Sequence, residues 1–179
     1  VDAAAITIQM GVPVARIELL DDIQINAVNK FSGLDYEEKP TLFFEFHGTE
    51  RSVVEQSEQV AEIIRDQGGS EFVWSIKQED KNKLWQARHD AYYASMALRP
   101  NSRIWTTDIC VPISRLSECI EATRKDVTEH NILAPIVGHV GDGNFHLLIV
   151  VDTGNEKEID VVSRINDRLL KRALAMGGT

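Results

Sequence analysis

Cysteine, basic charge and long apolar runs are all scarce in this 179-residue chain, and each scarcity excludes a class of protein. Its two cysteines, Cys110 and Cys119, have the spacing of neither a zinc ribbon nor a disulfide framework, so both read as buried thiols. Lys and Arg number 19 against 28 Asp and Glu, and the net charge of -9 repels a phosphate backbone, so no nucleic-acid partner is expected. No stretch approaches the run of about 18 apolar residues that crosses a bilayer, and Val1 to Met10 lack the basic flank and cleavage pattern of a secretory signal. No Gly-rich nucleotide-binding loop follows a strand. No Ser or Cys nucleophile sits beside a base, which counts against a self-sufficient hydrolase. With no Pro/Gly/Ser linker and no low-complexity segment, and with 43% hydrophobic and 26% charged residues, a single globular domain over residues 1–179 is expected.

Aromatic and β-branched runs predict strands at Val14 to Leu20, Thr41 to His47 and Phe72 to Ile76. Val53, Ser57, Val60, Ala61 and Ile64 recur at helical spacing between the second and third of these, with Gly68-Gly69 as the helix stop. The pattern returns as a strand from Ile104 to Val111, a helix carrying Leu116, Cys119, Ile120, Thr123 and Val127, and a strand from Ala134 to Val140. Ser114 reads as the N-cap of that helix. A further helix is expected from about Glu79 to Ala97, stopped by Pro100, and another through Ile159, Val162, Ile165, Leu169 and Ala173. Two split βαβ units of similar length imply an α+β fold, a ferredoxin-like antiparallel sheet with helices mainly on one face.

The chemically richest stretch is Gly138-His139-Val140-Gly141-Asp142-Gly143-Asn144-Phe145-His146, ahead of the apolar run Leu147 to Val151. Asp142-Gly143 is a two-residue hairpin signal. With that turn, His139 faces His146 across the strands, with Cβ atoms about 4.5–5.5 Å apart and Asn144 on the same side. Two imidazoles so presented can share one divalent ion such as zinc or manganese, although two solvent-facing histidines beside an ordinary turn are the plainer reading of the bare pair. Asp142, His47, Asp108 and Glu45 are candidate third ligands, and spacing leaves the choice open. On the helix before Pro100, Arg88 falls in the apolar stripe of Leu84, Trp85, Ala91, Tyr92, Ser95 and Met96. A guanidinium there either pairs with a nearby Asp or Glu or is a fork for a small carboxylate.

The hairpin motif, the Leu84-Trp85-x-x-Arg88 helix and the strand ending Asp108-Ile109-x-Val111-Pro112 together resemble the C-terminal substrate (cap) domain of FAD-linked oxidases. Within that family they are most similar to the mitochondrial, cytochrome-type D-lactate dehydrogenases. The resemblance implies a substrate- and metal-binding domain of a flavin-dependent D-2-hydroxyacid dehydrogenase, with hydride transfer from D-lactate or a similar acid to FAD. It implies His139 and His146 as ligands of zinc or manganese, Arg88 as the holder of the substrate carboxylate, and Asn144 at the substrate or flavin edge. It also implies a mitochondrial location and an electron acceptor such as cytochrome c or a flavoprotein carrier. In the family a Gly-Glu-His-Gly segment supplies the third ligand and the base, and this chain ends at Thr179 just before it; the FAD-binding domain is likewise expected outside the chain, so no catalytic residue is assigned within it. Thr106 stands where dicarboxylate-specific relatives carry Lys, which favours a monocarboxylate unless Arg99 or Arg103 substitutes for it. The alternative is a ferredoxin-like module that binds a small ligand or a partner without catalysis.

Overall fold

In chain order the computed structural model, which describes residues 1–70 and 72–179, runs α1 (Asp2–Gln9), β1 (Val14–Leu20), α2 (Asp22–Ser32), β2 (Thr41–Phe46), α3 (Glu50–Asp66), α4 (Gln78–His89), α5 (Ala91–Ala97), β3 (Arg103–Thr106), β4 (Ile109–Cys110), α6 (Leu116–Glu129), β5 (Ile136–Gly138), β6 (Asn144–Val151) and α7 (Glu156–Ala175). The strands form one antiparallel sheet in the order β2-β1-β5-β6-β3, with β4 also paired to β6. β6 is central because Leu147 to Val151 is apolar on both sides and buried throughout. β3 and β5 both flank β6 and are joined through α6, which makes one split βαβ unit.

The pleat of each strand divides its side chains between two layers. On one face Ile17, Leu19, Ile136, Phe145, Leu147 and Ile149 pack against α6 and α7. Ala3, Val60 and Ile63 bring α1 and α3 onto the β2 end of the sheet, where Leu42 and Phe44 meet them. The opposite face, through Leu20, Phe43, Val137 and Leu148, meets Ile25 and Val28 of α2, Ala87 of α4, and Ala91 and Ala94 of α5. The α+β class and the antiparallel sheet are thus as the sequence reading expects, but the helices are not mainly on one face: α1, α3, α6 and α7 lie on one side and α2, α4 and α5 on the other, and only one of the two expected split βαβ units forms.

Several local expectations are corrected. Phe72 to Ile76 is not a strand: Phe72 packs edge-on to Phe44 and Phe46, with centroids 5.9 and 6.3 Å away, while Val73, Trp74 and Ile76 lie exposed without a partner strand. The helix through Arg88 breaks at Asp90, whose carboxylate accepts from Ser32 Oγ at 2.9 Å and Gln86 Nε2 at 2.8 Å. The Ile104–Val111 strand is two short strands, interrupted where the Thr107 hydroxyl and carbonyl turn to β6. Ser114 lies inside a 3-10 turn, Ile113–Arg115, and no side chain caps α6. Cys119 is a buried thiol, but Cys110 is only half-buried.

The helices α1 and α2 fall outside the sequence reading. α2 is closed by Asp21, whose Oδ1 accepts from Gln24 N–H at 2.7 Å, and by Gly33 in the left-handed region at φ +64°. Asp21 also accepts from Ile136 N–H at 2.6 Å through Oδ2 and pairs with Arg124, tying β1, α2, β5 and α6 together. Burial nevertheless pushes its carboxyl up to about 6, against the opposing pull of Arg124 and the two N–H donors.

Candidate functional site

The hairpin between β5 and β6 is built differently from the two-residue turn that Asp142-Gly143 signals. Val140–Asp142 form a 3-10 turn, Gly143 takes φ +76°, and Asn144 N–H donates to His139 C=O at 3.3 Å. Val137 therefore pairs with His146, and by continuation of that register His139 lies opposite Asn144 and diagonal to His146. The slip is two residues, an even number, so it leaves every side chain on its expected face. The imidazoles still meet, with ring centroids 5.9 Å apart and planes at 87°. The longer loop follows from packing. Val140 is fully buried in the main core, and Gly143 C=O accepts from Val111 N–H at 3.0 Å, seating the loop on the chain that enters α6.

Each histidine is held through Nδ1. His139 Nδ1 lies 2.5 Å from Oε1 of Glu18, and His146 Nδ1 lies 3.0 Å from the Thr107 carbonyl oxygen. A carbonyl only accepts, so His146 donates from Nδ1–H, and in the neutral ring the lone pair is then on Nε2. Among the described residues neither Nε2 has a hydrogen-bond partner. This is the arrangement in which metal-ligating imidazoles are found, one nitrogen anchored by a carboxylate or carbonyl and the other presented outward.

Glu18 is missing from the sequence-predicted set. It stands in β1 where the register Leu19–Gly138 places it opposite His139, and it is 1% exposed. Its second oxygen, Oε2, accepts from Arg88 Nε–H at 2.8 Å. The pairing foreseen for Arg88 is thus realised, yet its two terminal NH2 groups make no hydrogen bond with any described residue. Two residues along β1, Arg16 stacks on Trp85 at 4.4 Å and pairs with Glu45, which also holds His47. A cavity of about 450 Å³ opens beside Glu18 and His139, with Arg16 and Asp142 in its wall. One signal in the sequence could have found Glu18: an acid set between the apolar residues Ile17 and Leu19 of a strand needs a partner.

The remaining candidates fall as follows. Asn144 shares the face of the histidines, but its Nδ2 donates to Asp108 Oδ1 at 2.8 Å and to Ile109 C=O at 3.1 Å, leaving its carbonyl oxygen without a hydrogen bond among the described residues. Asp108 stands 3.4 Å from His146 Nδ1, on the anchored side of that ring. Glu45, in β2, and His47, just past its end, bond to each other. Among the described residues no group of three His, Cys, Asp or Glu side chains is placed to hold a metal, so none of Asp142, His47, Asp108 and Glu45 completes a ligand set with the histidines. Arg99 is spent on Glu158 through two bonds of 2.6 and 3.0 Å and is not free to replace a cation at Thr106. The end of the chain reaches this region: Thr179 and Cys110 exchange backbone hydrogen bonds of 2.8 and 3.0 Å beside β4. No helix among the described residues is long and apolar enough to cross a membrane.

Residues 1–179 match the protein family described as FAD linked oxidases, C-terminal domain. The chain is 53% identical over 179 residues to the probable mitochondrial D-lactate dehydrogenase of Danio rerio, covering 100% of this chain and 36% of that protein. It is 39% identical over 178 residues to the mitochondrial D-lactate dehydrogenase [cytochrome] of Arabidopsis thaliana, covering 99% of this chain and 31% of that protein. It thus spans about a third of the length of these relatives. Among solved structures, the 4-ethylphenol oxidase from Gulosibacter chungangensis in its isoeugenol complex shares the fold, with a TM-score of 0.59 at 16% identity over 99% of this chain and 42% of that one.

Proposed function

Since the chain belongs to the FAD linked oxidases, as their C-terminal domain, we propose that it forms the substrate side of a flavin-dependent D-2-hydroxyacid dehydrogenase that oxidises D-lactate, or a similar 2-hydroxy monocarboxylate, to the 2-oxo acid. In this reading the flavin is held outside these 179 residues and a cytochrome or flavoprotein carrier accepts the electrons; the mitochondrial location and the cytochrome are in keeping with the names of the relatives.

One observation carries this function: two histidines on one sheet face, each anchored through Nδ1 with Nε2 outward, beside a guanidinium whose terminal NH2 groups are uncommitted. The donor set fits a divalent ion such as zinc or manganese, with His139 and His146 as two of its ligands. The two histidines alone do not complete a ligand set, so any further ligands would have to be substrate oxygens or groups outside the described residues. A chain continuing past Thr179 in its present pairing runs antiparallel to β4 toward Asp108 and His146, where a Gly-Glu-His-Gly segment would deliver its Glu and His. When bound, the ion supplies Lewis acidity at the 2-hydroxyl oxygen and the flavin supplies the hydride sink.

The residues of this chain bind and orient. Arg88 offers its outer NH2 groups to the substrate carboxylate while Nε–H stays on Glu18. Asn144 keeps its carbonyl oxygen for a substrate hydroxyl, its amide nitrogen being fixed by Asp108 and Ile109. Thr106 is exposed and adds no cation, which suits a substrate with a single carboxylate. Replacing His139 or His146 with Ala in the full protein is expected to remove metal and D-lactate turnover together; normal values for both in both variants reject the assignment.

The ion pair between Arg88 and Glu18 favours one rival, a small-ligand module in which Arg88 is structural. A ligand that raises the melting temperature equally with and without a chelator decides for that rival.

A further inference from the structure

We infer that Glu18 is the positioning residue of the site, a single buried carboxylate that fixes the tautomer of His139 with one oxygen and the guanidinium of Arg88 with the other. The inference rests on the metal-and-substrate function proposed above for those two residues and adds a residue in contact with neither ligand.

Glu18 is placed by the sheet itself. It sits opposite His139 in the β1–β5 register, and its neighbours Ile17 and Leu19 are buried in the main core, so its carboxylate is held on the site face by both layers. Oε1 is 2.5 Å from His139 Nδ1 and Oε2 is 2.8 Å from Arg88 Nε. Exposure falls from 49% for the His139 side chain to 17% for Arg88 and 1% for Glu18, so the anchor is dry while the groups it holds reach solvent. A carboxylate that accepts from both neighbours requires the Nδ1–H form of His139 and leaves Nε2 as the outward lone pair. His146 reaches the same form through the Thr107 carbonyl. Free imidazole has no such fixed choice, so the two anchors are what make both rings ligands at once.

The same geometry predicts an unusual consequence for Glu18→Gln. A carboxamide has one acceptor oxygen, and Arg has no acceptor at all. The Gln oxygen must therefore turn to Arg88, which sets its NH2 against His139 Nδ1. His139 can accept that N–H only in the Nε2–H form, which places a proton on the nitrogen that would meet the ion. A nearly isosteric change then blocks one metal ligand without touching it.

The test is nitrogen NMR of the full protein, chelator-treated and labelled with 15N-histidine, at about pH 8.5, where an ordinary imidazole is neutral. His139→Ala assigns the His139 signal. Wild type should show His139 as Nδ1–H and Glu18→Gln should show it as Nε2–H, while His146 remains Nδ1–H in both. In parallel, Zn2+ affinity measured against a chelating dye should fall by about 10–100-fold in Glu18→Gln, the size typical for loss of such an outer contact. The same tautomer in wild type and Glu18→Gln, or unchanged Zn2+ affinity despite the switch, overturns the positioning role. Zn2+ affinity that His139→Ala leaves unaltered rejects the metal function instead, and the tautomers still decide whether Glu18 sets the ring. If Glu18→Gln fails to fold, wild type alone decides, because a His139 found as Nε2–H contradicts the inference outright.

Discussion

Replacing Gly143 with Ala loads two separable costs onto the hairpin that carries both histidines. The residue has φ +76°, and a Cβ there would lie 2.2 Å from the Val111 carbonyl oxygen, a backbone atom that cannot swing aside. Gly33, at φ +64° with nothing within 4 Å of its Cβ position, isolates the first cost. Left-handed backbone costs an L residue about 1–2 kcal/mol, offset by about 0.4–1 kcal/mol from the stiffer unfolded chain, so Gly33→Ala should lose about 0.5–1 kcal/mol. Gly143→Ala must also displace Val111, which costs about 1–3 kcal/mol for the overlap and about 1 kcal/mol for the Val111 N–H bond to the Gly143 carbonyl. The expected total is about 2.5–5 kcal/mol, read as the shift in urea midpoint at constant m-value. A loss in Gly143→Ala within about 0.5 kcal/mol of that in Gly33→Ala would refute the account of the loop as seated on Val111.

Two further outcomes follow from charged groups. Asp21 titrates at about 6 when folded against 3.8 for the ordinary group, so the folded state binds its proton more tightly. Its contribution to stability is complete below about pH 4 and is lost as pH rises through about 6, a change of a few kcal/mol that Asp21→Asn should flatten in urea titrations at pH 4.5, 5.5 and 7; an equal slope in both proteins counts against the burial argument. Arg88→Lys removes both the fork and the Nε–H donor, and kcat/KM for D-lactate should fall about 10–100-fold, as expected for about 1.5–3 kcal/mol of charge-assisted bonding. An unchanged kcat/KM would leave Arg88 a purely structural partner of Glu18.

Legibility in the sequence followed apolar periodicity. β1 has the predicted bounds, Val14–Leu20, because Val14, Ile17, Leu19 and Leu20 mark it as a strand even though Arg16 and Glu18 interrupt the apolar run. α6 and α7 lie where their stripes put them and bury those stripes on the sheet; α3 also forms where expected, but it buries Gln56, Ser57, Val60 and Ile63 and leaves Val53, Ala61 and Ile64 half-buried. α1 hid because its buried residues, Ala3, Ala4 and Thr7, are too small to register as an apolar stripe. α2 carried legible caps in Asp21 and Gly33, but Gln24, fully buried and bonded to the Ala91 carbonyl, interrupts its apolar face. Phe72 to Ile76 has strand composition and no strand to pair with, a tertiary fact that local propensity cannot contain. At the site, the shared face of His139, Asn144 and His146 was legible because face depends only on parity. The diagonal register was not, because it is set by the burial of Val140 and the contact of Gly143 with Val111, both long-range. The Glu18 link between His139 and Arg88 joins three elements far apart in sequence, and only its place between the apolar Ile17 and Leu19 hinted at it.

The most direct test of the whole account is the zinc and manganese content of the purified full protein, measured by mass spectrometry alongside D-lactate turnover in wild type, His139→Ala and His146→Ala. About one divalent ion per chain in wild type, lost together with turnover in both variants, is the predicted result. An active wild type without metal, or variants that keep both metal and activity, would contradict it.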